Sequence, residues 1–345
     1  MNAHAGHGAA PGRSRPLLSV ALCTYNGARF IEAQIRSICA QTLTPDEIVL
    51  SDDASRDDCV ALARSAHAAC VAQSTPGDAR PHLRVLQNDV ALGVTRNFEQ
   101  AASACEGEFI ALCDQDDIWD PEKLERLVAA LQGGRQPSLV HTDARLVDSQ
   151  GHPLGQTLFG SLAVSRAEFD QIHGGQAFDV LLRRNLVTGA TTIFRRSLLE
   201  QALPFPPEWL HDEWLGVVAA VRGGVDVLPW CSIDYRQHGT NQVGAQRMGL
   251  MEKVHKALAP RGDDALRRSS KARILVERLQ AMGDPVPDAL LEKARKKLSH
   301  QQHRAALPRS RVARLLPIAL ELASGRYARY DYGVQGALRD LLAAP

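Results

Sequence analysis

The sequence predicts an α/β fold with a mostly parallel central sheet, followed by a C-terminal helical region. Between residues 17 and 113, short apolar runs alternate with segments of helical periodicity, which is typical of parallel strands joined by covering helices. After residue 244, apolar residues recur at helical spacing among many basic residues. We therefore expect a disordered leader over 1–16, a sheet domain over 17–244 and a basic helical region over 245–345.

Four strands of the first half follow from short apolar runs bounded by turn residues. They are predicted at 17–23, 47–51, 83–87 and 109–113. The helices are predicted between and after them, at 30–38, at 55–72, at 96–104 and from Pro121 onward.

The second half of the domain has weaker patterns. In chain order we expect a strand at 138–143, loops with a short helix at 150–176, a loop entering a strand at 185–194, a helix opening at 210–215, and a strand ending in a loop at 235–244. Arg183 and Arg184 are either phosphate ligands or part of a solvated face.

The composition is ordinary for a globular protein, with 45% hydrophobic and 23% charged residues, so neither a membrane bundle nor a disordered chain is indicated. Seven cysteines without a C-x-x-C pair indicate buried thiols in a reducing cytosol. We expect no secretory signal in 1–16, and the apolar stretch at 312–323 is too short to cross a bilayer. These features predict a cytoplasmic protein.

Charge separates the two parts of the chain. Residues 1–244 contain 29 acidic and 20 basic side chains, whereas residues 245–345 contain 10 acidic and 20 basic ones. Arginines interrupt apolar residues at 273–279 and 311–316. Such basic amphipathic helices can lie on an anionic membrane surface or pack on the sheet domain, and we expect peripheral contact with the inner face of the membrane. No nucleic-acid partner is expected.

Polar residues follow three of the predicted parallel strands. Ligands in such sheets bind beyond the carboxyl ends of the strands, so these residues are expected to converge on one edge. They are Thr24, Tyr25 and Asn26 after the first strand, Asp52 and Asp53 after the second, and Asp114, Gln115 and Asp116 after the fourth.

The two aspartates of the fourth tip predict a metal site. In extended backbone, side chains at i and i+2 point the same way, so Asp114 and Asp116 face one space. Adjacent carboxylates repel unless a cation lies between them, and Mg²⁺ is held by one or two carboxylates together with substrate phosphate oxygens. The expected ligand is therefore a metal-bound diphosphate. The alternative is that this acidic cluster supplies only turn and cap hydrogen bonds.

Three segments carry a specific resemblance: TYNGARFIEAQIRSICAQT, EIVLSDDASRD and LGVTRNFEQAASACEGEFIALCDQDDIWDPEKL. They resemble the nucleotide-sugar domain of family-two inverting glycosyltransferases, in particular bacterial rhamnosyltransferase-like members, over about residues 17–244. The resemblance implies a GT-A-type fold and Mg²⁺ or Mn²⁺ as cofactor. It also implies sugar transfer from a dTDP- or UDP-sugar to a saccharide or lipid-linked glycan acceptor. The pathway implied is assembly of a cell-surface glycan such as O-antigen, capsule or exopolysaccharide.

The same resemblance assigns roles to residues. It implies that Asp52 contacts the donor base, that Thr24 and Tyr25 line its pocket, and that Asp116 is the direct metal ligand beside Asp114. The full set expected to bind the nucleotide sugar is Thr24, Tyr25, Asn26, Asp52, Asp53, Arg96, Asp114 and Gln115.

An inverting transfer needs one base to take the proton from the acceptor hydroxyl, and a carboxylate is the usual choice. The family's acid pair falls on Asp212 and Glu213, of which Asp212 is expected to be the base, with Glu213 and His211 orienting it. Relatives often have an aromatic residue at the position of Glu213, so the choice between the two stays open. The alternative is that both acids only stabilise the start of a helix. His238 is expected to contact the metal or phosphate.

Two other functions use a similar fold. A nucleotidyltransferase would need a Gly-rich basic phosphate loop after the first strand, where this chain has Thr24, Tyr25 and Asn26. A non-catalytic saccharide-binding protein would be expected to lack Asp116 or Asp212, and this chain has both.

Overall fold

The computed structural model describes residues 17–73, 75, 79–237 and 263–344. The expected leader, the predicted loop 238–244 and His238 lie outside these residues. The first half of the sheet domain consists of β1 (Leu18–Thr24), α1 (Ile31–Cys39), β2 (Glu47–Asp52), α2 (Cys59–Gln73), β3 (His82–Gln87), α3 (Val94–Ala104) and β4 (Phe109–Cys113).

These four strands form the parallel part of the sheet, as the sequence predicts. β1 lies between β2 and β4, and β2 also pairs with β3, all in parallel register. Every residue of β1, β2 and β4 is buried. Helices cover both faces of such a sheet, which explains why these strands are continuous apolar runs instead of alternating ones.

The second half of the domain adds strands of both directions. It consists of β5 (Ile118–Trp119), α4 (Lys123–Gln132), β6 (Leu139–Val147), β7 (Pro153–Thr157), α5 (Leu158–Ser161), α6 (Arg166–His173), α7 (Ala177–Arg183), a 3₁₀ turn (Gly189–Thr191), β8 (Thr192–Arg195), α8 (Arg196–Ala202), α9 (His211–Arg222) and β9 (Val225–Arg236). The strand order is β3-β2-β1-β4-β8-β6-β9-β5, with β7 on β6. β8 is antiparallel to both of its neighbours, whereas β6 and β9 are parallel.

Several predicted bounds differ from the structure, among them two helix starts and one loop segment. α2 begins at Cys59 instead of Ser55, because Ser55 donates hydrogen bonds to Asp52 from its backbone N–H (3.0 Å) and its Oγ (2.5 Å), which keeps this residue in the loop. α4 begins at Lys123 instead of Pro121, because Ile118–Trp119 pairs with β9. The segment 150–176 contains β7, α5 and α6 and is therefore more regular than expected.

The two arginines at the end of α7, Arg183 and Arg184, both pair with Glu168. Arg184 donates to Glu168 from Nε (2.9 Å) and Nη2 (2.8 Å), and Arg183 also pairs with Glu168. Burial raises the pKa of Glu168, but the hydrogen bonds from Arg184 and Ser165 outweigh this and lower it to about 2. The two arginines therefore hold α6 to α7, and a phosphate-binding role is not supported for them.

The C-terminal region is helical, as expected. It consists of α10 (Asp264–Ala281), α11 (Asp288–Ala305), α12 (Arg311–Ala323), α13 (Arg326–Tyr330) and α14 (Val334–Leu342). α10 buries Leu275, Val276 and Leu279 in the same apolar core as α3 and α9. A separate small core joins Ile318, Tyr327 and Ala337. None of the described helices is both long and apolar enough to cross a membrane.

Candidate active site

The polar tips of β1, β2 and β4 meet at one edge of the sheet. Thr24 is paired in register with Asp52, and its Oγ1 donates a hydrogen bond to Asp52 Oδ1 at 2.9 Å. Gln115 makes two hydrogen bonds to the Tyr25 backbone, accepting from its N–H at 2.8 Å and donating to its carbonyl at 3.1 Å. The Tyr25 ring remains 56% exposed. These four predicted residues therefore form one surface beside the strand ends.

Asn26 and Ser55 fix the loops around Asp52. Asn26 has a φ of 50°, accepts from the Arg56 N–H at 2.9 Å, and donates its own N–H to Ser55 Oγ at 2.8 Å. Because Ser55 in turn donates to Asp52, the Asp52 carboxylate is held in one orientation. Such fixed groups suit recognition of a flat, hydrogen-bonding ligand such as a nucleobase.

Two other predicted donor ligands are engaged within the chain. Asp53 accepts from the backbone N–H groups of Leu92 (2.6 Å) and Gly93 (2.9 Å), so it anchors the loop before α3. Arg96 is exposed and makes a two-point ion pair with Glu99, at 3.0 and 2.9 Å. The structure thus gives Asp53 a loop-anchoring role and does not bring Arg96 into the hydrogen-bond network of Asp52.

Four carboxylates lie close together at the end of β4. Burial, and then the charges of Asp116 and Asp212, raises the pKa of Asp114 to about 7. Burial, Asp116 and Asp114 also raise the pKa of Asp117. Asp117 Oδ1 accepts from the Arg236 N–H at 3.2 Å, whereas its Oδ2 has no hydrogen-bond partner within the described chain. Burial is the first cause of these raised pKa values and the charge of neighbouring carboxylates the second, so a bound cation would relieve the charge repulsion in this space.

Lys123 lies near this cluster, and sequence reasoning gave it no role. Its side chain is fully buried, its Nζ donates to the Ala190 carbonyl at 2.6 Å, and it lies 3.5 Å from the centre of the Trp119 ring. Burial lowers the pKa of Lys123 to about 7, against the influence of Asp117 and Asp114. Its sequence signal is a lysine on the otherwise apolar buried face of α4.

The two acids at the start of α9 have different partners. Asp212 Oδ2 accepts from the Gly189 N–H at 2.9 Å, and its Oδ1 accepts from the Glu213 N–H at 2.6 Å. Burial raises the pKa of Asp212. The Glu213 carboxylate instead pairs with Lys271 on α10. Asp212 is therefore the acid that faces the cluster at Asp114, and Glu213 joins α9 to the C-terminal region.

His211 packs behind these acids. Its ring stacks on Phe98 with 3.8 Å between centroids, and neither ring nitrogen has a hydrogen-bond partner within the described residues. Burial lowers the pKa of His211 to about 3, so it is neutral at physiological pH. A Cβ at Gly189 would lie 2.7 Å from His211 Nε2. The glycine thus allows the close approach of the 3₁₀ turn to α9, and the contacts of the His211 ring within the described residues are packing contacts.

The end of β9 supplies two residues that had no assigned role. Burial and the charges of the carboxylate cluster, Asp114 first, raise the pKa of Tyr235, so its phenol stays protonated. Arg236 donates from Nε to the Asp116 carbonyl at 2.9 Å and from Nη1 to the Ser149 carbonyl at 3.2 Å. It therefore fixes the backbone of the acidic tip. Both contacts join segments that are far apart in sequence.

The predicted metal ligands can be tested against this geometry. Across the described ranges, no three His, Cys, Asp or Glu side chains form a group that could hold a metal by themselves. A hard ion needs fewer protein ligands when a diphosphate and waters complete its shell. Asp114 and Asp116 belong to one cluster of like charge, which fits that arrangement. His238 lies outside the described residues.

Comparison with known proteins adds a family match. The model for "Glycosyl transferase family 2" matches residues 19–201, more than half of the 345-residue chain. A curated relative, Uncharacterized protein Rv1520 of Mycobacterium tuberculosis, is 28% identical over 228 residues, which is 64% of this chain. That alignment spans only 59% of the relative's own length.

Solved structures show a similar fold. The crystal structure of S. aureus TarS 1-349 in complex with UDP-GlcNAc has a TM-score of 0.59 and 16% identity, covering 94% of this chain and 90% of TarS 1-349. The mannosyltransferase PcManGT from Pyrobaculum calidifontis, in complex with GDP-Man and Mn²⁺, has a TM-score of 0.50 and 18% identity, covering 95% of this chain and 86% of that one. At these identities the likeness concerns the fold alone.

Proposed function

The chain belongs to glycosyltransferase family 2, and on that premise we propose that it transfers a sugar from a nucleoside diphosphate to a saccharide hydroxyl with inversion at the anomeric carbon. Its fold is of the GT-A type, as the sequence predicts. We propose a hexosyl donor carried by dTDP or UDP, with a rhamnosyl group as one candidate, and Mg²⁺ or Mn²⁺ as cofactor.

One observation carries this proposal. Asp212 comes from α9 and Asp114 from the tip of β4, yet the charge of Asp212 contributes to the raised pKa of Asp114. The candidate base and the candidate metal ligands therefore face a common space. Positioning a donor and an acceptor in one cleft lowers the barrier of a two-substrate reaction.

Asp212 is the proposed base. Its carboxylate would take the proton from the acceptor hydroxyl while that oxygen forms a bond to the anomeric carbon and the bond from this carbon to the diphosphate breaks. Burial favours this role because it raises the pKa of Asp212. The backbone N–H groups of Gly189 and Glu213 hold both carboxylate oxygens in place. Glu213 is less suited, because Lys271 neutralises it.

Asp114 and Asp116 would hold the metal, and His238 is a further proposed ligand. A bound divalent ion supplies charge neutralisation as the diphosphate leaves. The chain itself positions these carboxylates through Arg236, which donates to the Asp116 carbonyl at 2.9 Å. The protonated phenol of Tyr235, near the same carboxylates, is suited to donate a hydrogen bond to an anionic oxygen.

Donor recognition is proposed for the surface at the tips of β1 and β2. Asp52 would accept a hydrogen bond from the base, while the exposed ring of Tyr25 would stack on it and Thr24 would complete the pocket. Asn26 and Gln115 hold this surface together. For Asp53 and Arg96 the observed contacts favour loop support over direct ligand contact.

The proposed acceptor is a saccharide or lipid-linked glycan in the assembly of a cell-surface glycan such as O-antigen, capsule or exopolysaccharide. We place this reaction on the cytoplasmic side, at an anionic membrane surface. None of the seven cysteines, all of which lie in the described part of the chain, forms a disulfide, which suits a reducing compartment.

A donor panel tests the proposal. Thermal unfolding of the full chain would be followed with dTDP-, UDP- and GDP-sugars, each with Mn²⁺ and with chelator. A true donor at about 100 times its Kd should stabilise the native state by about 2.7 kcal/mol, and only with metal. Proton NMR of the product of an active donor and acceptor pair would report the anomeric configuration. Retained configuration, or donor binding that is insensitive to chelator, would contradict the proposal.

A further inference from the structure

α12 is amphipathic in the reverse sense, with Arg314 and Glu321 inside and its leucines outside. Arg314 is 1% exposed and donates to the carbonyls of Pro308 (2.7 Å), Asp340 (3.0 Å) and Ala343 (2.8 Å). Glu321 is also buried and accepts from His300 at 2.6 Å. The polar side of this helix thus faces the protein. The large apolar residues it exposes are Val312, Leu315, Leu316, Leu320 and Leu322.

α14 also carries exposed apolar residues. It exposes Val334, Leu338 and Leu342, which are spaced four residues apart and so lie along one side of the helix. α12 and α14 contact each other through the small core of Ile318 and Ala337. We call the exposed apolar residues of these two helices the α12–α14 face. This many exposed large apolar residues on two contacting helices is uncommon in a monomer and marks an interaction site.

The exposed charged residues of segment 307–344 have one sign. The acidic residues of segment 307–344 are all buried, namely Glu321, Asp331 and Asp340. Arg304 pairs with both aspartates, and Tyr327 donates to Asp340 at 2.8 Å. The exposed charged residues of the segment are arginines, namely Arg309, Arg311 and Arg329. Apolar side chains flanked by exposed cations match an anionic lipid surface.

The basic stretch at 273–279 differs from this face. Its apolar residues Leu275, Val276 and Leu279 are buried against the sheet domain. Of these two stretches, only the one at 311–316 exposes its large apolar residues to solvent; Val312, for example, is 76% exposed. The structure therefore separates two sequence segments that look alike in composition.

We propose that the α12–α14 face is the membrane-docking surface of this protein, with its leucines in the headgroup region of an anionic bilayer and its arginines against lipid phosphates. A second copy of the chain fits less well. A two-fold interface would place this face against itself and bring exposed arginines together, with no exposed acid in segment 307–344 to pair with them.

Docking at this face would fix the orientation of the sheet domain. Lys293 pairs with Asp179 of α7 at 2.7 Å, and Lys297 donates to the Tyr330 carbonyl at 2.5 Å. These contacts join α11 both to the sheet domain and to α13. A sheet domain held in one orientation would meet a lipid-carried acceptor in the same way each time, and this consequence rests on the proposed function. The docking surface does not depend on the proposed function.

Vesicle flotation of the full chain tests the surface. Vesicles would contain either phosphatidylcholine alone or a mixture with phosphatidylglycerol. We expect binding to the anionic vesicles only, and Leu316→Gln/Leu320→Gln should weaken it by about tenfold or more. Arg311→Gln should weaken it less and reduce its salt dependence. Val312→Gln should also weaken binding, and its matched control is Val90→Gln on the sheet domain. The two valines are equally exposed, at 76% for Val312 and 75% for Val90, but Val90→Gln should leave binding unchanged.

Two results would overturn the proposal. One is equal flotation of the leucine variant and the wild type at matched thermal stability. The other is a wild-type chain that binds neither vesicle type and is a dimer by light scattering, while the leucine variant is a monomer. That result would assign the face to contact with a second copy of the chain. Donor binding is measured in parallel and should be unchanged in every variant. A wild-type chain that floats with anionic vesicles but binds no donor would contradict the proposed function and would still support the docking surface.

Discussion

Glu213 on α9 forms an ion pair with Lys271 on α10, so the acid next to the proposed base is already neutralised by the C-terminal region. Lys271 also lies 4.6 Å from the centre of the Trp209 ring, just before α9. The contact distinguishes two neighbouring carboxylates, Asp212 and Glu213, between which the sequence leaves the choice of base open. It gives Glu213 a linking contact, which is the reason that Asp212 is the proposed base.

Asp212→Asn should therefore abolish most turnover while donor binding survives. The amide keeps the size and a carbonyl oxygen of the side chain but cannot accept the proton, so turnover should fall by ~10²–10⁴-fold. Glu213→Gln is the matched control and should cost much less. Initial rates and donor Kd would be measured for both variants. The opposite ranking would exchange the two roles.

A double-mutant cycle tests the link itself. Lys271→Met and Glu213→Gln should each lower the free energy of unfolding slightly, and the double variant should lose less than the sum, with a coupling of about 0.2–1 kcal/mol because both groups are partly exposed. Urea denaturation gives the three values. Full additivity would show that the pair contributes nothing measurable.

Asp116→Ala should remove metal-dependent donor binding. The substitution deletes the carboxylate that is expected to bind the ion directly, and Asp114 alone cannot supply both positions. Calorimetry with a nucleoside diphosphate and Mn²⁺ measures the affinity. Asp170→Ala, an exposed carboxylate on α6, is the control and should bind as the wild type does. Unchanged affinity in Asp116→Ala would reject the metal assignment.

Gly189→Ala should slow turnover without weakening donor binding. The new Cβ would lie 2.7 Å from His211 Nε2, so either the ring or the turn must move, and the turn carries the N–H that holds Asp212. Displacement of a reacting group by about 1 Å can cost ~10²-fold in rate. Gly134→Ala is the control, since its Cβ would meet no atom within 4 Å. Wild-type kinetics for Gly189→Ala would show that this contact does not position the base.

Glu168→Gln should reduce stability in a pH-dependent way. The pKa of Glu168 is about 2 in the folded protein against an ordinary value of 4.5, so its ionised form stabilises the native state above about pH 4.5. The contribution, about 2–3 kcal/mol, is lost as pH falls toward 2. The difference in free energy of unfolding between wild type and variant, measured by denaturation from pH 7 to pH 3, should therefore become smaller as the pH falls. Glu32 forms an exposed helical ion pair with Arg36, so Glu32→Gln should change stability very little at any pH.

Local patterns predicted the strand tips well, because β1, β2 and β4 are apolar runs that end in polar residues. The start of α9 was also predictable, since Asp212 and Glu213 open an apolar helix. The family and the fold are confirmed by the comparisons. The roles of the site residues remain predictions.

Contacts between distant residues could not be predicted. Lys123 donates to a carbonyl 67 residues away, and the partner of Glu213 is 58 residues away, so neither contact leaves a local pattern. Ile118–Trp119 is too short to show periodicity, and β9 makes it a strand. The reversed polarity of α12 was hidden for the same reason: the buried partners of Arg314 are carbonyls of other segments.

The two hydrogen bonds between Gln115 and the Tyr25 backbone leave no room at the neighbouring position 27. A Cβ on Gly27 would lie 2.1 Å from Gln115 Oε1, so any larger residue there would displace the glutamine side chain. Substitutions at positions 27 and 115 should therefore depend on each other. In an alignment of related sequences, glycine at position 27 and glutamine at position 115 should be inherited and lost together, and a relative that carries a side chain at position 27 should have a different residue at position 115.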